Sequence, residues 1–260
     1  MSKINGKTIW LTGASSGIGL ALAEQLAAEG ANLVLTARNE EKLREIANRL
    51  PGTHLVLPMD LSRPEKAVNR AEAFLDDIKV DILINNAGIS QRSLALETDF
   101  EVYRDLMEVN YFSVVALSKL IAPRLVNQGD GHIVTVASVA GKVGSKRRSG
   151  YSGAKFAVIG FMDCFRAELA DKNVRCLTVC PGFVHTQIAH NALVGDGSAL
   201  GQADPDNAGG ISAAQCAAEI ITAIKADKDE IIVGKGLSKA APVLQRFLPG
   251  LVRRMVAKRN

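Results

Sequence analysis

Lys7-Thr-Ile-Trp-Leu-Thr-Gly-Ala-Ser-Ser-Gly-Ile-Gly-Leu-Ala-Leu-Ala-Glu-Gln-Leu-Ala-Ala-Glu-Gly30 is the stretch that decides how this chain folds. Residues 7–11 form a short apolar run. Glycines at 13, 17 and 19 follow, and Leu22, Leu26 and Ala27 then recur with helical spacing as far as Gly30. Strand, glycine turn and helix in that order bring the amides of a helix start to where a pyrophosphate can meet them, because glycine permits positive φ and close backbone approach. The spacing is Gly-x-x-x-Gly-x-Gly, whereas the usual dinucleotide fingerprint is Gly-x-Gly-x-x-Gly, so the fingerprint is met only in its physics. A bare strand-to-helix turn is the competing reading.

Outward from this unit the pattern alternates. Residues 32–36 read as a second strand, 41–50 as a helix, 54–57 as a strand, 64–78 as a helix and 81–84 as a fourth strand leading into Asn85-Asn-Ala-Gly88. A helix over 101–127 contains Asn110, and 131–137 is a strand that delivers Ser138. A helix then carries Tyr151, 174–180 is a sixth strand closed by Pro181-Gly182, 212–226 is helical and 230–233 is a seventh strand. Strands separated by helices of this length need right-handed crossovers, which yields a parallel sheet covered on both faces. The expected fold is α/β: a single-domain Rossmann fold over residues 1–260, with a doubly wound seven-stranded parallel sheet flanked by helices. Open sheets of this kind bind ligands beyond the carboxyl ends of their strands, and Gly13, Arg38, Asp60, Asn85 and Ser138 all fall at such ends.

Composition agrees with this. The 260 residues suffice for one sizeable core, and 47% hydrophobic content with 23 glycines and 5% aromatics suits an α/β protein with many tight turns. No apolar run approaches the roughly 20 residues that span a bilayer, and the amino terminus lacks the apolar core of a signal peptide, so a cytoplasmic location is expected. Cys164, Cys176, Cys180 and Cys216 show no metal-ligand spacing and read as small buried hydrophobes; with four scattered histidines, no metal site is expected. The net charge of +4 is uneven, because no acidic residue follows Glu230 while Lys235, Lys239, Arg246, Arg253, Arg254, Lys258 and Arg259 do. Attraction to anions belongs to that tail, and nothing points to nucleic acid.

Chemistry is concentrated in Tyr151-Ser-Gly-Ala-Lys155. A tyrosine and a lysine four apart on a helix share one face, and a nearby cation favours the phenolate, so such a tyrosine can exchange a proton with an alcohol or alkoxide. Taken alone, the pair also occurs on helices that do no chemistry. At the end of the second strand a carboxylate would bind the ribose hydroxyl of NAD, whereas Thr36-Ala-Arg38 offers an arginine, which favours NADP(H).

Together, Thr12-Gly-Ala-Ser-Ser-Gly-Ile-Gly19, Asp60, Asn85-Asn-Ala-Gly88, Asn110, Ser138, Tyr151-x-x-x-Lys155 and Pro181-Gly-Phe-Val-His-Thr186 resemble the short-chain dehydrogenase/reductase family, in its order and spacing, over nearly the whole chain. Residues 150–168, His185-Thr186 and Asp196-Gly-Ser198 resemble its dehydrogenase/reductase member 7 branch. The resemblance implies an oxidoreductase that moves a hydride between NADPH and a ketone or aldehyde, or between NADP and the matching secondary alcohol. Tyr151 would be the general acid, Lys155 would lower its pKa and hold the nicotinamide ribose, Ser138 would bind the reacting oxygen, and Asn110 would keep a relay water behind Lys155. Ser15 and Arg38 would select NADP. Gly13, Ser16, Gly17, Ile18 and Gly19 would surround the phosphates, Asp60 and Leu61 the adenine, and Asn86, Ala87, Gly88, Pro181, Gly182, Val184 and Thr186 the rest of the cofactor. A homodimer or homotetramer is also implied. An NAD-dependent alcohol dehydrogenase and a cofactor-binding regulator without turnover stand as alternatives.

Three further segments stand out, the second and third with two readings each. Residues 187–210 lack periodicity and read as a substrate lid. Lys146-Arg147-Arg148 is either a solvated loop or a device that steers an anionic substrate. The tail over 236–260 spaces Val243, Leu244, Phe247, Leu248, Leu251, Val252, Met255 and Val256 in helical pairs, with Pro249 starting a second segment. It packs on the core or a sister subunit, or it contacts anionic lipid.

Overall fold

The computed structural model describes residues 3–202 and 209–258; the rest of the expected lid, 203–208, and Arg259 in the tail lie outside them. Strand β1 (Thr8–Thr12) is the hub. It lies between β2 (Asn32–Thr36) and β4 (Ile82–Asn85), parallel to both. With β3 (His54–Val56), β5 (Gly131–Val136), β6 (Val174–Pro181) and β9 (Glu230–Val233) it makes one seven-stranded parallel sheet of order β3-β2-β1-β4-β5-β6-β9. The order reverses direction between β1 and β4. That is the switch point at which open parallel sheets leave a crevice.

Both faces of the sheet are covered. Helices α1 (Gly17–Ala28), α2 (Glu40–Arg49) and α7 (Ala213–Lys225) bury Leu22, Leu26, Leu43 and Ile220 against Ile9, Leu11, Ile84 and Val179. On the other face α3 (Pro64–Leu75), α5 (Ser113–Gln128) and α6 (Ser149–Glu168) bury Leu75, Leu117, Ile121 and Met162 against Trp10, Val34, Leu83 and Ile133. Trp10 is wholly enclosed, and its indole N–H donates to Thr36 Oγ1 at 2.9 Å, so burying it leaves no orphan donor.

Some expectations need correction. The helix expected over 101–127 is two helices, α4 (Phe100–Met107) and α5, joined by a π-helical turn, Glu108–Phe112, that contains Asn110. By length and composition the run Phe100–Gln128 could cross a membrane, although no such run was expected; here Val114, Leu117, Ile121 and Leu125 bury it in the core. Cys176, Cys180 and Cys216 are buried, but Cys164 is exposed on α6. The described part of 187–210 is not a free flap. Arg92 N–H donates to Leu193 O at 2.8 Å, Leu193 N–H to Ser90 O at 2.9 Å and Asp99 N–H to Gly195 O at 2.8 Å. A short parallel pair, β7 (Val184–His185) with β8 (Ile211–Ser212), ties the ends of the segment together. After β9, α8 (Gly236–Phe247) and α9 (Pro249–Lys258) form the tail, with Pro249 opening the second helix as the spacing predicts.

Candidate active site

A cleft of about 1680 Å³ opens over the carboxyl ends of β1, β2, β4, β5 and β6. That is larger than the roughly 300–1,000 Å³ of a usual small-ligand pocket and leaves room for two ligands side by side. Every residue expected to touch a cofactor lines it except Gly19, and so do Ser138, Tyr151 and Lys155; Asn110 lies behind its wall.

The glycine turn shows why these residues are small. Gly13 has φ +67, and a Cβ there would lie 2.8 Å from Asn86 Nδ2 and 2.9 Å from Ala87 Cα. Gly19 sits under the turn, where a Cβ would lie 2.0 Å from Gly13 O. Asn86 Nδ2 donates to Thr12 O at 3.0 Å, while Thr12 Oγ1 accepts from Asn86 N at 3.0 Å and Ala87 N at 3.1 Å. Those bonds lock the ends of β1 and β4 together at the switch point. Ser16 precedes α1 without a side-chain cap, and the first turn has no acidic residue. The helix start therefore keeps amides for an anion, and a dinucleotide pyrophosphate fits it. Exposed Arg38 at the end of β2 makes no ion pair among the described residues, and Ser15 faces the same part of the cleft.

The reactive groups come from β5 and α6. Ser138 caps the 3₁₀ turn Val139–Gly141, its Oγ accepting from Ala140 N at 3.0 Å and donating to Pro181 O at 3.4 Å. Ser138 also lies near enough to the Tyr151 hydroxyl to exert a lowering influence on its pKa. Lys155 is 4% exposed; its Nζ donates to Val136 O at 3.0 Å and lies 5.8 Å from the centre of the Tyr151 ring. Burial pushes the lysine down to about 8. Burial also raises the Tyr151 phenol, against the lowering influence of Ser138 and of the Arg148 and Arg92 cations. The lowering expected from Lys155 does not appear among these, and loss of water around the phenolate outweighs all three.

Asn110 is fully buried in the π turn. Its Nδ2 donates to Ile89 O and Leu106 O, both at 3.0 Å, and its Oδ1 accepts from Ile89 N at 3.2 Å. A Cβ on Gly88 would lie 2.7 Å from Asn110 Oδ1 and 3.5 Å from Lys155 Nζ, so both side chains approach Gly88.

Two residues were missed from the sequence. Gln91 is 0% exposed, and its Oε1 accepts from Gly150 N at 2.7 Å and Tyr151 N at 3.3 Å, while its Nε2 donates to Ser93 Oγ and Thr98 Oγ1. It caps the helix that carries the tyrosine, from a loop 60 residues earlier. Arg92 lines the cleft beside Arg148, whereas Lys146 and Arg147 do not. Neither is signalled by local pattern, since each matters through a contact distant in sequence.

Comparisons with known proteins bear on this cleft. The profile for short chain dehydrogenases matches residues 7–195. The mouse dehydrogenase/reductase SDR family member 7B is 37% identical, the match spanning 98% of this chain and 82% of that protein. A Drosophila melanogaster protein, dehydrogenase/reductase SDR family protein 7-like, is 38% identical over 99% of this chain and 82% of its own length. Among solved structures, a short chain dehydrogenase from Burkholderia cenocepacia in complex with NADP superposes with TM-score 0.83 at 26% identity, covering both chains fully. One from Burkholderia phymatum in complex with NAD gives TM-score 0.80 at 25% identity, covering 100% of this chain and 98% of the other.

Proposed function

The chain belongs to the short-chain dehydrogenase/reductase family of NAD(P)-binding oxidoreductases, and from that premise we propose that it reduces a ketone or aldehyde with NADPH, Tyr151 serving as the general acid. The observation that carries this reading is the convergence of Ser138, Tyr151 and Lys155 on one cleft. A carbonyl oxygen beside both hydroxyls accepts two hydrogen bonds, which stabilise the charge that grows on it as the carbon is reduced. Tyr151 then delivers the proton, and Asn110 and Lys155, which both approach Gly88, hold the route by which that proton is replaced. The nicotinamide supplies the hydride when bound; the protein supplies position and charge. In the oxidative direction each step reverses.

Arg38 and Ser15 favour the 2′-phosphate of NADP, since a guanidinium at the end of β2 pairs with phosphate where a carboxylate would repel it. Arg92 and Arg148 favour a substrate with an anionic group near its carbonyl, so that of the 146–148 run only Arg148 supports the steering alternative to a solvated loop. The test is a carbonyl screen that follows NADPH consumption, with cofactor affinities measured alongside. Arg38→Ala is expected to weaken NADPH binding roughly tenfold or more, the worth of a charge-assisted phosphate contact, and to leave NADH binding unchanged. Tighter binding of NADH by the unaltered protein would identify an NAD-dependent enzyme, and binding without turnover of any carbonyl would identify a regulator.

A further inference from the structure

The two carboxyl-terminal helices have an inner and an outer side. Leu244, Val252, Met255 and Val256 form one wall of the cleft. The outer side leaves apolar groups in solvent: Val243 is 55% exposed, Phe247 73%, Leu248 52% and Leu251 43%. Val243 and Phe247 stand one turn apart on α8, as Leu248 and Leu251 do at the start of α9. Exposed cations flank each pair, Lys239 and Arg246 the first, Arg253 and Arg254 the second. None of these four makes an ion pair among the described residues, and no acidic residue follows Glu230.

Charge decides what covers such a face. A second copy docking through a two-fold axis would bring the same cations against themselves, since an isologous interface meets its own surface. An anionic bilayer complements both features: the apolar pairs enter the boundary between headgroups and acyl chains, and the cations meet anionic lipid. We propose that the outer face of α8 and α9 is a peripheral docking surface for anionic membranes. Docking seats one wall of the cleft on the bilayer, so that molecules dissolved in lipid reach the site along it. The inference stands on exposure and charge alone and is independent of which carbonyl is reduced.

Sedimentation of the full chain with phosphatidylcholine vesicles, with and without phosphatidylserine and at low and high salt, tests it. Binding is expected only with phosphatidylserine and is expected to fall as salt rises. The double variants Lys239→Ala/Arg246→Ala and Val243→Ser/Phe247→Ser should each weaken that binding at least roughly tenfold. Thermal melting and NADPH affinity should not move, because none of the four residues lines the cleft. Equal binding to both vesicle types, or binding to neither, overturns the proposal. So does a result in which the variants dissociate an oligomer in solution and leave vesicle binding intact.

Discussion

At the scale of single residues, Tyr151 and Gln91 carry the account. Burial raises the phenol and lowers Lys155 to about 8, which fixes the sign of the pH dependence. Reduction needs the tyrosine protonated, and a raised pKa keeps it so across the neutral range. The reductive rate should therefore be flat there and fall as pH climbs past about 8, where Lys155 loses its charge. Oxidation of the alcohol needs the phenolate and should climb into the alkaline range. Profiles of kcat/KM against pH in both directions check this, and a reductive rate that increases through neutrality contradicts it. Gln91 is a positioning residue: its amide oxygen accepts from the Gly150 and Tyr151 N–H groups in the first turn of the Tyr151 helix. Gln91→Leu orphans those donors, a cost of about 2 kcal/mol or more, and should lower Tm by roughly 5 °C. Turnover should drop roughly tenfold to a hundredfold through misplacement of the tyrosine, with NADPH affinity unchanged. Gln91→Glu keeps an acceptor and should recover most of the turnover, which a purely structural role does not predict.

At the scale of elements, the glycine turn and the π turn place the chemistry. A methyl group at Gly19 meets a carbonyl of the turn itself, so Gly19→Ala must push α1 away from β1. That overpacking is worth about 1–3 kcal/mol, and isothermal titration should show NADPH affinity lost together with a lower Tm. The order and type of these elements were legible in the sequence because each alternates apolar period with a breaker: Gly13 after β1, Gly30 before β2, Pro181-Gly182 after β6. The π turn was not legible, because inserting one residue into a helix leaves the apolar spacing on either side nearly intact. The anchoring of 187–202 was hidden for a different reason. Its bonds run through backbone groups to 90–99, and backbone pairing leaves no mark on side-chain composition.

At the scale of the molecule, the doubly wound sheet opens its crevice at the β1/β4 switch point, and the tail closes one side of it. Of the strand-end residues named in the sequence, Gly13, Arg38, Asp60 and Ser138 line that crevice, because a parallel sheet sends every carboxyl end to the same edge, and Asn85 is buried. What the sequence left open was how the tail helices divide their faces, since an amphipathic pattern does not say which stripe meets the protein. The central claim is that one buried phenol, beside Ser138 and backed by Lys155, gives its proton to a carbonyl reduced in this cleft. Stopped-flow measurement of a single turnover on bound NADPH, comparing the unaltered chain with Tyr151→Phe, tests this most directly. The account predicts equal NADPH affinity and a rate lower by roughly 10²–10⁴-fold in the variant; a variant that turns over at the unaltered rate would contradict it.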